Sequence, residues 1–178
     1  MRDIALFLLV FAVYPAWVAA GLADWACHRR TRIEATGGLA ENAFHWVLYA
    51  LGGLAVAMVV GLQLTGGVLA LVAACWLAHE VLVWFELRYA VPRRWIGPTE
   101  QMVHSFQELL PLAGLGLLAA IAGERLGEGT LALRSGPWPW PLLRAGLAGG
   151  LPVHGVPLAE ESWRCLARAR TPASPAPR

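Results

Sequence analysis

Lysine is missing from this chain of 178 residues: all 14 basic side chains are arginine. Charge of either sign is scarce. Only 15% of residues are charged, where a soluble domain carries about 25%. With 57% hydrophobic residues and a mean hydropathy of +0.53, an ordinary soluble domain is excluded and a membrane protein is indicated. A net charge of +2 and the lack of a basic, aromatic-interleaved patch exclude nucleic acid as a partner. Cysteine is also rare. Cys27, Cys75 and Cys165 are odd in number and make no CxxC pair, which argues against a disulfide scaffold.

Long apolar runs are what the chain does have. A spanning helix needs about 20 mostly apolar residues. Four stretches qualify: Ile4–Ala23, Trp46–Leu64, Val68–Phe85 and Val103–Ala122. A fifth, Trp138–Leu158, contains Arg144, His154 and four prolines, and reads either as a span or as a broken interfacial helix. The first run exceeds a signal-peptide core of about 7–15 residues. "CHRRTR" behind it is a stop-transfer pattern, so it is expected to span, with Pro15 as a kink. "EESWRCLARAR" reads as a short basic helix and "TPASPAPR" as disordered. The expected fold is all-α: a polytopic membrane helix bundle of four to five transmembrane helices. Residues 1–166 form its single domain, and 167–178 a disordered cytoplasmic tail.

Arginine placement orients the spans. Arg29, Arg30 and Arg32 follow the first, Arg88, Arg93 and Arg94 the third, and Arg164, Arg168, Arg170 and Arg178 the fifth. The loop "QLTGG" has none, and Arg125 and Arg134 are offset by Glu124 and Glu128. This predicts a multi-pass protein of a bacterial inner membrane with its N-terminus outside. The tail shares the cytoplasmic side only if the fifth segment spans. Trp46, Trp84, Trp95, Trp138, Trp140 and Trp163 lie near span ends, as an aromatic belt does.

The ionisable groups then collect on the predicted cytoplasmic side: Asp24 and His28, Glu41 and His45, His79 and Glu80, Glu100, His104 and Glu108, and Glu160 with Glu161. Asp24/His28, Glu41/His45, Glu100/His104 and His104/Glu108 are four residues apart, so each helix shows both groups on one face. His79 lies six residues inside Phe85, about 9 Å down the helix, and Glu108 is comparably deep. Charges at such depth require pairing, solvent or metal. Two cations within the bundle answer that need: Arg88 or a bound metal. Taken singly, several groups have plainer readings. Asp24/His28 and Glu41/His45 suit helix ends, Glu100 a helix N-terminus capped at Thr99, and Glu86 with Arg88 an interfacial ion pair. Glu160 or Glu161 supplies one ligand or only begins the tail helix. Cys27 is turned about 100° from the Asp24/His28 stripe and reads as a buried or free thiol. His154 has no acidic partner within a turn and is left aside.

Carboxylate oxygens with imidazole nitrogens suit iron, manganese or zinc. There are more ligands here than the four one zinc takes. Two divalent metal ions, iron favoured, are therefore expected among Asp24, His28, Glu41, His45, His79, Glu80, Glu100, His104, Glu108 and Glu160. In ligand type and in use of facing helices the set resembles ferritin-like di-iron bundles. It departs from them in its four-residue rather than three-residue steps. "HEVLVWFELRYAVPRRWIGPTEQMVHSFQELLP" resembles small bacterial inner-membrane proteins to which no activity attaches. With iron at lipid depth, the implied chemistry is an oxidase or hydroxylase acting on a lipid-like or quinone-like substrate. With zinc or manganese it is hydrolysis of a lipid head group. Metal-ion or proton transport, haem binding and a purely structural bundle are the rival readings. The nearly apolar outer half speaks against transport, and the carboxylate beside each imidazole against haem.

Overall fold

A computed structural model describes residues 1–135 and 141–170, with side chains from 150 onward in the last helix. The start of the expected fifth span, with Trp138 and Trp140, and the tail residues 171–178 lie outside the described residues. The fold is all-α. Helices α1 (Arg2–Leu8) and α2 (Tyr14–Thr31) run into one another through a π turn, Leu9–Val13. There follow α3 (Gly38–Gly61), α4 (Gly66–Ala90), α5 (Pro98–Ala122) and α6 (Pro141–Arg170). Four of these rods are long and apolar enough to cross a membrane: Arg2–Thr31, Gly38–Gly61, Gly66–Ala90 and Pro98–Gly127.

The expected kink at Pro15 takes the form of the π turn one turn earlier. Pro15 has no N–H to give the Phe11 carbonyl four residues back. The Tyr14 N–H meanwhile reaches the Leu9 carbonyl, a five-residue step. The fifth apolar segment and the short basic helix expected after it are a single helix of 30 residues, carrying Pro152 and Pro157 inside. Helix α5 begins at Pro98 with Gly97 as its N-cap, so Thr99 is not the cap.

The helices close into a ring. α2 packs on α5, α5 on α4, α4 on α3, α3 on α6 and α6 back on α2. Side-chain placement is inverted relative to a soluble protein. Phe7, Leu77 and Trp84 are more than half exposed on the outside, whereas Glu41 is fully buried. Large apolar surface facing outward suits lipid, not water.

The two ends of the ring differ. At one end Leu64, Leu69, Leu118 and Ala122 form a small apolar core. The strand-like segment after α5 folds over it. Gln63 and Arg134 donate backbone N–H bonds to Ala132 and Gly61, and the buried Thr65 hydroxyl donates to the Thr130 carbonyl at 2.7 Å. Gly67 is required there, because a Cβ would come within 2.6 Å of the Gly129 carbonyl oxygen. At the other end many buried side chains are polar: His28, Glu41, Asn42, Glu86, Arg94, Glu100 and Glu161.

Candidate metal centre

Each helix extends past its apolar run by one or two turns at the polar end. α3 starts at Gly38, not Trp46, and α5 at Pro98, not Val103. Charged residues are good helix formers, so the helices continue where hydropathy stops. That extension turns the four-residue pairs inward.

His28 is the hub. Its Nε2 lies 3.5 Å from Asp24 Oδ1 and 3.6 Å from Glu100 Oε1, too far for hydrogen bonds, and has no hydrogen-bond partner. His104 Nε2 stands 3.0 Å from Asp24 Oδ1. Asp24, His28, Glu100 and His104 thus offer ligand atoms within 4.8 Å of one another, and so do His28, Glu41 and His45. The other face of His28 is fixed: Nδ1 lies 3.1 Å from Glu161 Oε2. An ionised carboxylate only accepts, so Nδ1 carries a proton and Nε2 is the atom left to meet a cation. Glu161 holds His45 in the same way at 2.7 Å, and accepts from Asn42 at 2.9 Å. The Ser162 hydroxyl donates to Asn42 Oδ1, and Trp46 Nε1 donates to Ser162, extending the scaffold to the helix surface.

The fixed cation in the bundle is Arg94, not Arg88. Arg88 lies over the outward Trp84 ring, 4.8 Å from its centroid. Arg94 folds back from the turn after α4. Its Nε donates to Glu41 at 2.7 Å, and its NH1 pairs with Glu100 at 2.5 Å. Burial works against the Arg94 charge, but Glu41 and Glu100 outweigh it and hold the guanidinium above its ordinary range.

Glu86 is likewise no surface fringe. It is buried, with Oε1 3.7 Å from His45 Nε2 and no hydrogen-bond partner. His79, Val83, Glu86 and Ala90 alternate by four, three and four residues, which is the inward stripe of α4. In the acidic pair at the end of α6, Glu161 reaches the cluster. Glu160 accepts from Trp25 and Arg164 near the surface and is ion-paired with Arg29. Leu158, Glu161 and Cys165 are the buried stripe of α6, and that spacing was the available signal for choosing Glu161.

His79, Glu80 and Glu108 belong to neither close ligand group. His79 and Glu108 line the same cavity of about 150 Å³ as Asp24, His28, His45, Glu86, His104 and Glu161. Glu80 lies 3.5 Å from His79 Nδ1. His154 donates from Nε2 to the Val18 carbonyl oxygen at 3.0 Å. Cys27 is a buried free thiol.

The residues present fit a metal. His28 Nε2 and buried oxygens on Glu41 and Glu86 have no hydrogen-bond partner, and each is a common ligand atom for a first-row cation. The fold and site together define an all-α membrane helix bundle with a buried His/carboxylate cluster that could hold a metal ion. No protein-family model matches the chain, and neither a curated protein nor a solved structure does.

Proposed function

We propose that this protein is a metal-dependent membrane enzyme, an oxidase or hydroxylase, that acts on a lipid-like substrate. One observation carries the reading. The polar cavity shares Tyr14, Trp17, Gly52, Val56 and His79 with a second, apolar cavity of about 280 Å³ inside the ring. A hydrocarbon lying in the second cavity ends against the imidazoles and carboxylates of the first. Convergent polar groups at the end of an apolar pocket are the usual form of a small-molecule site.

Asp24, His28, Glu100 and His104 are the residues that would hold one ion, and Glu41 and His45, with Glu86 beside them, the other. Charge supports two. Asp24, Glu41, Glu86, Glu100 and Glu161 gather around His28 and His45, and the one guanidinium among them, Arg94, pairs with Glu41 and Glu100. With the imidazoles neutral, as metal ligands have to be, these five carboxylates and Arg94 leave four negative charges, the complement of two divalent cations. When bound, iron would supply activation of dioxygen as oxidant. Around it, Glu161 sets the tautomer of both histidines, Arg94 holds Glu41 and Glu100 apart, and the apolar walls exclude water. Arginine placement supports an inner-membrane location with the N-terminus outside and the cluster toward the cytoplasm.

Metal analysis of protein purified in mild detergent tests this. About two iron per chain are expected, falling below one in His28→Ala, with oxygen consumption on adding a lipid substrate and reductant. A wild-type protein that retains no metal after loading and washing would sink the proposal. Zinc in place of iron would move it to head-group hydrolysis.

A further inference from the structure

The apolar cavity has one charged end. Its lining runs from Trp17 and His79 to Arg2, Arg125 and Arg134 at the opposite end. Arg2 and Trp17 belong to one rod; their fifteen-residue separation is about 22 Å along a helix. Leu6, Leu9, Val10 and Val13 line the way between. Arg134 donates to the Val59 and Val60 carbonyls at the end of α3, which fixes its position. Arg125 pairs with the exposed Glu128 at 2.9 Å and donates to Gln63 at 2.7 Å. Among the described residues no carboxylate pairs with Arg2. Burial pushes the Arg134 guanidinium below its ordinary value, and the charges of Arg125 and Arg2 push it the same way. Arg2, Arg125 and Arg134 thus gather at one end of the cavity, where Arg125 is ion-paired with Glu128.

We infer that this cavity binds an anionic single-chain amphiphile. Its carboxylate or phosphate head sits on Arg2, Arg125 and Arg134, and its chain lies through the cavity toward His79. Guanidinium groups match both head groups, and chain burial supplies the apolar part of the affinity. The inference rests on the proposed enzyme only for the fate of the chain: carbons remote from the head are those presented to the metal-ligand cluster. Binding itself requires no metal.

The test uses metal-free purified protein in a neutral detergent, with hexadecanoate, hexadecyl phosphate and hexadecanol as probes. The two anions should bind at least about tenfold more tightly than the alcohol, the scale of one charge-assisted hydrogen bond. Whichever anion binds more tightly identifies the head group. Arg2→Gln with Arg125→Gln should remove the difference. Glu128→Gln, which frees Arg125, should tighten anion binding, a gain that misfolding cannot produce. Bromine placed at the chain end should quench Trp17 fluorescence more than bromine beside the head, with the difference lost in Trp17→Phe. Equal binding of alcohol and acid, no tightening in Glu128→Gln, or equal quenching by both brominated chains would each overturn the inference. Metal loading with no chain binding sinks this inference alone. Chain binding without metal loading sinks only the enzyme.

Discussion

His28 and His45 are stacked, ring centroids 4.5 Å apart and planes 2° from parallel, with Glu161 across both Nδ1 atoms. Two imidazoles from different helices are therefore set by one carboxylate from a third. Glu161→Gln removes an acceptor from two histidines and puts an amide donor in its place. Metal affinity should fall about 10–100-fold, the usual cost of losing a group that orients a ligand. Glu160→Gln touches only partly exposed pairs, worth about 0–1 kcal/mol, and should leave metal content unchanged. Metal titration of the two variants side by side checks this.

Arg94 should be the least replaceable cation in the chain. Both of its carboxylate partners are buried, and its own side chain is about 1% exposed. Removing one member of such a group costs about 3–5 kcal/mol because the remaining charges stay buried. Arg94→Leu should therefore lower the melting temperature in detergent markedly, and Arg88→Leu should not. Equal melting of the two variants would contradict the role given to Arg94.

Glu100 and Thr99 separate a ligand from a cap. Gly97 caps α5, and Thr99 is exposed. Thr99→Ala should change stability by less than about 0.5 kcal/mol and leave metal binding intact. Glu100→Gln should reduce metal retention, since Glu100 faces both His28 and Arg94. Metal counts per chain after dialysis decide between them.

Much of this site was legible before the fold was known. Asp24, His28, Glu100 and His104 are two four-residue pairs at one end of the bundle, and they form the larger ligand group. What was hidden has a common physical cause. Glu161 meets His28 across a separation of 133 residues, and no local period reports such a partner. Arg94 acts through a turn that folds back under the bundle, while span-by-span reading leaves a loop arginine at the surface. Glu86 was obscured by Arg88, two residues on, because hydropathy ends the helix before the inward stripe does. The four apolar rods, by contrast, declare themselves by length alone.

Proton competition fixes the sign of the pH dependence. Imidazole and carboxylate bind a cation only when deprotonated, so every proton gained displaces metal. Metal-dependent thermal stabilisation should therefore be present at alkaline pH and be lost as pH falls and the imidazoles and carboxylates take up protons. Melting curves with and without added iron, taken across a range of pH, should converge at the acid end. Curves that converge at the alkaline end instead would contradict the ligand set.

Gly52 and Trp17 offer a way to separate chemistry from access. Both line the polar and the apolar cavity. A Cβ on Gly52 would stand 3.3 Å from the Trp17 ring, closer than ordinary packing. A valine there adds two further methyl groups at the neck, and overpacking of this kind costs about 1–3 kcal/mol. Gly53→Ala is the control, because its Cβ would meet Leu151 at an ordinary 3.7 Å. Gly52→Val should keep its metal, since no ligand residue is displaced, while turnover of a lipid substrate falls at least about tenfold. Gly53→Ala should keep both. Measuring iron content and oxygen consumption on the same preparations gives the answer. If Gly52→Val turns over substrate at the wild-type rate, the chain does not pass between Gly52 and Trp17, and the two cavities serve separate purposes.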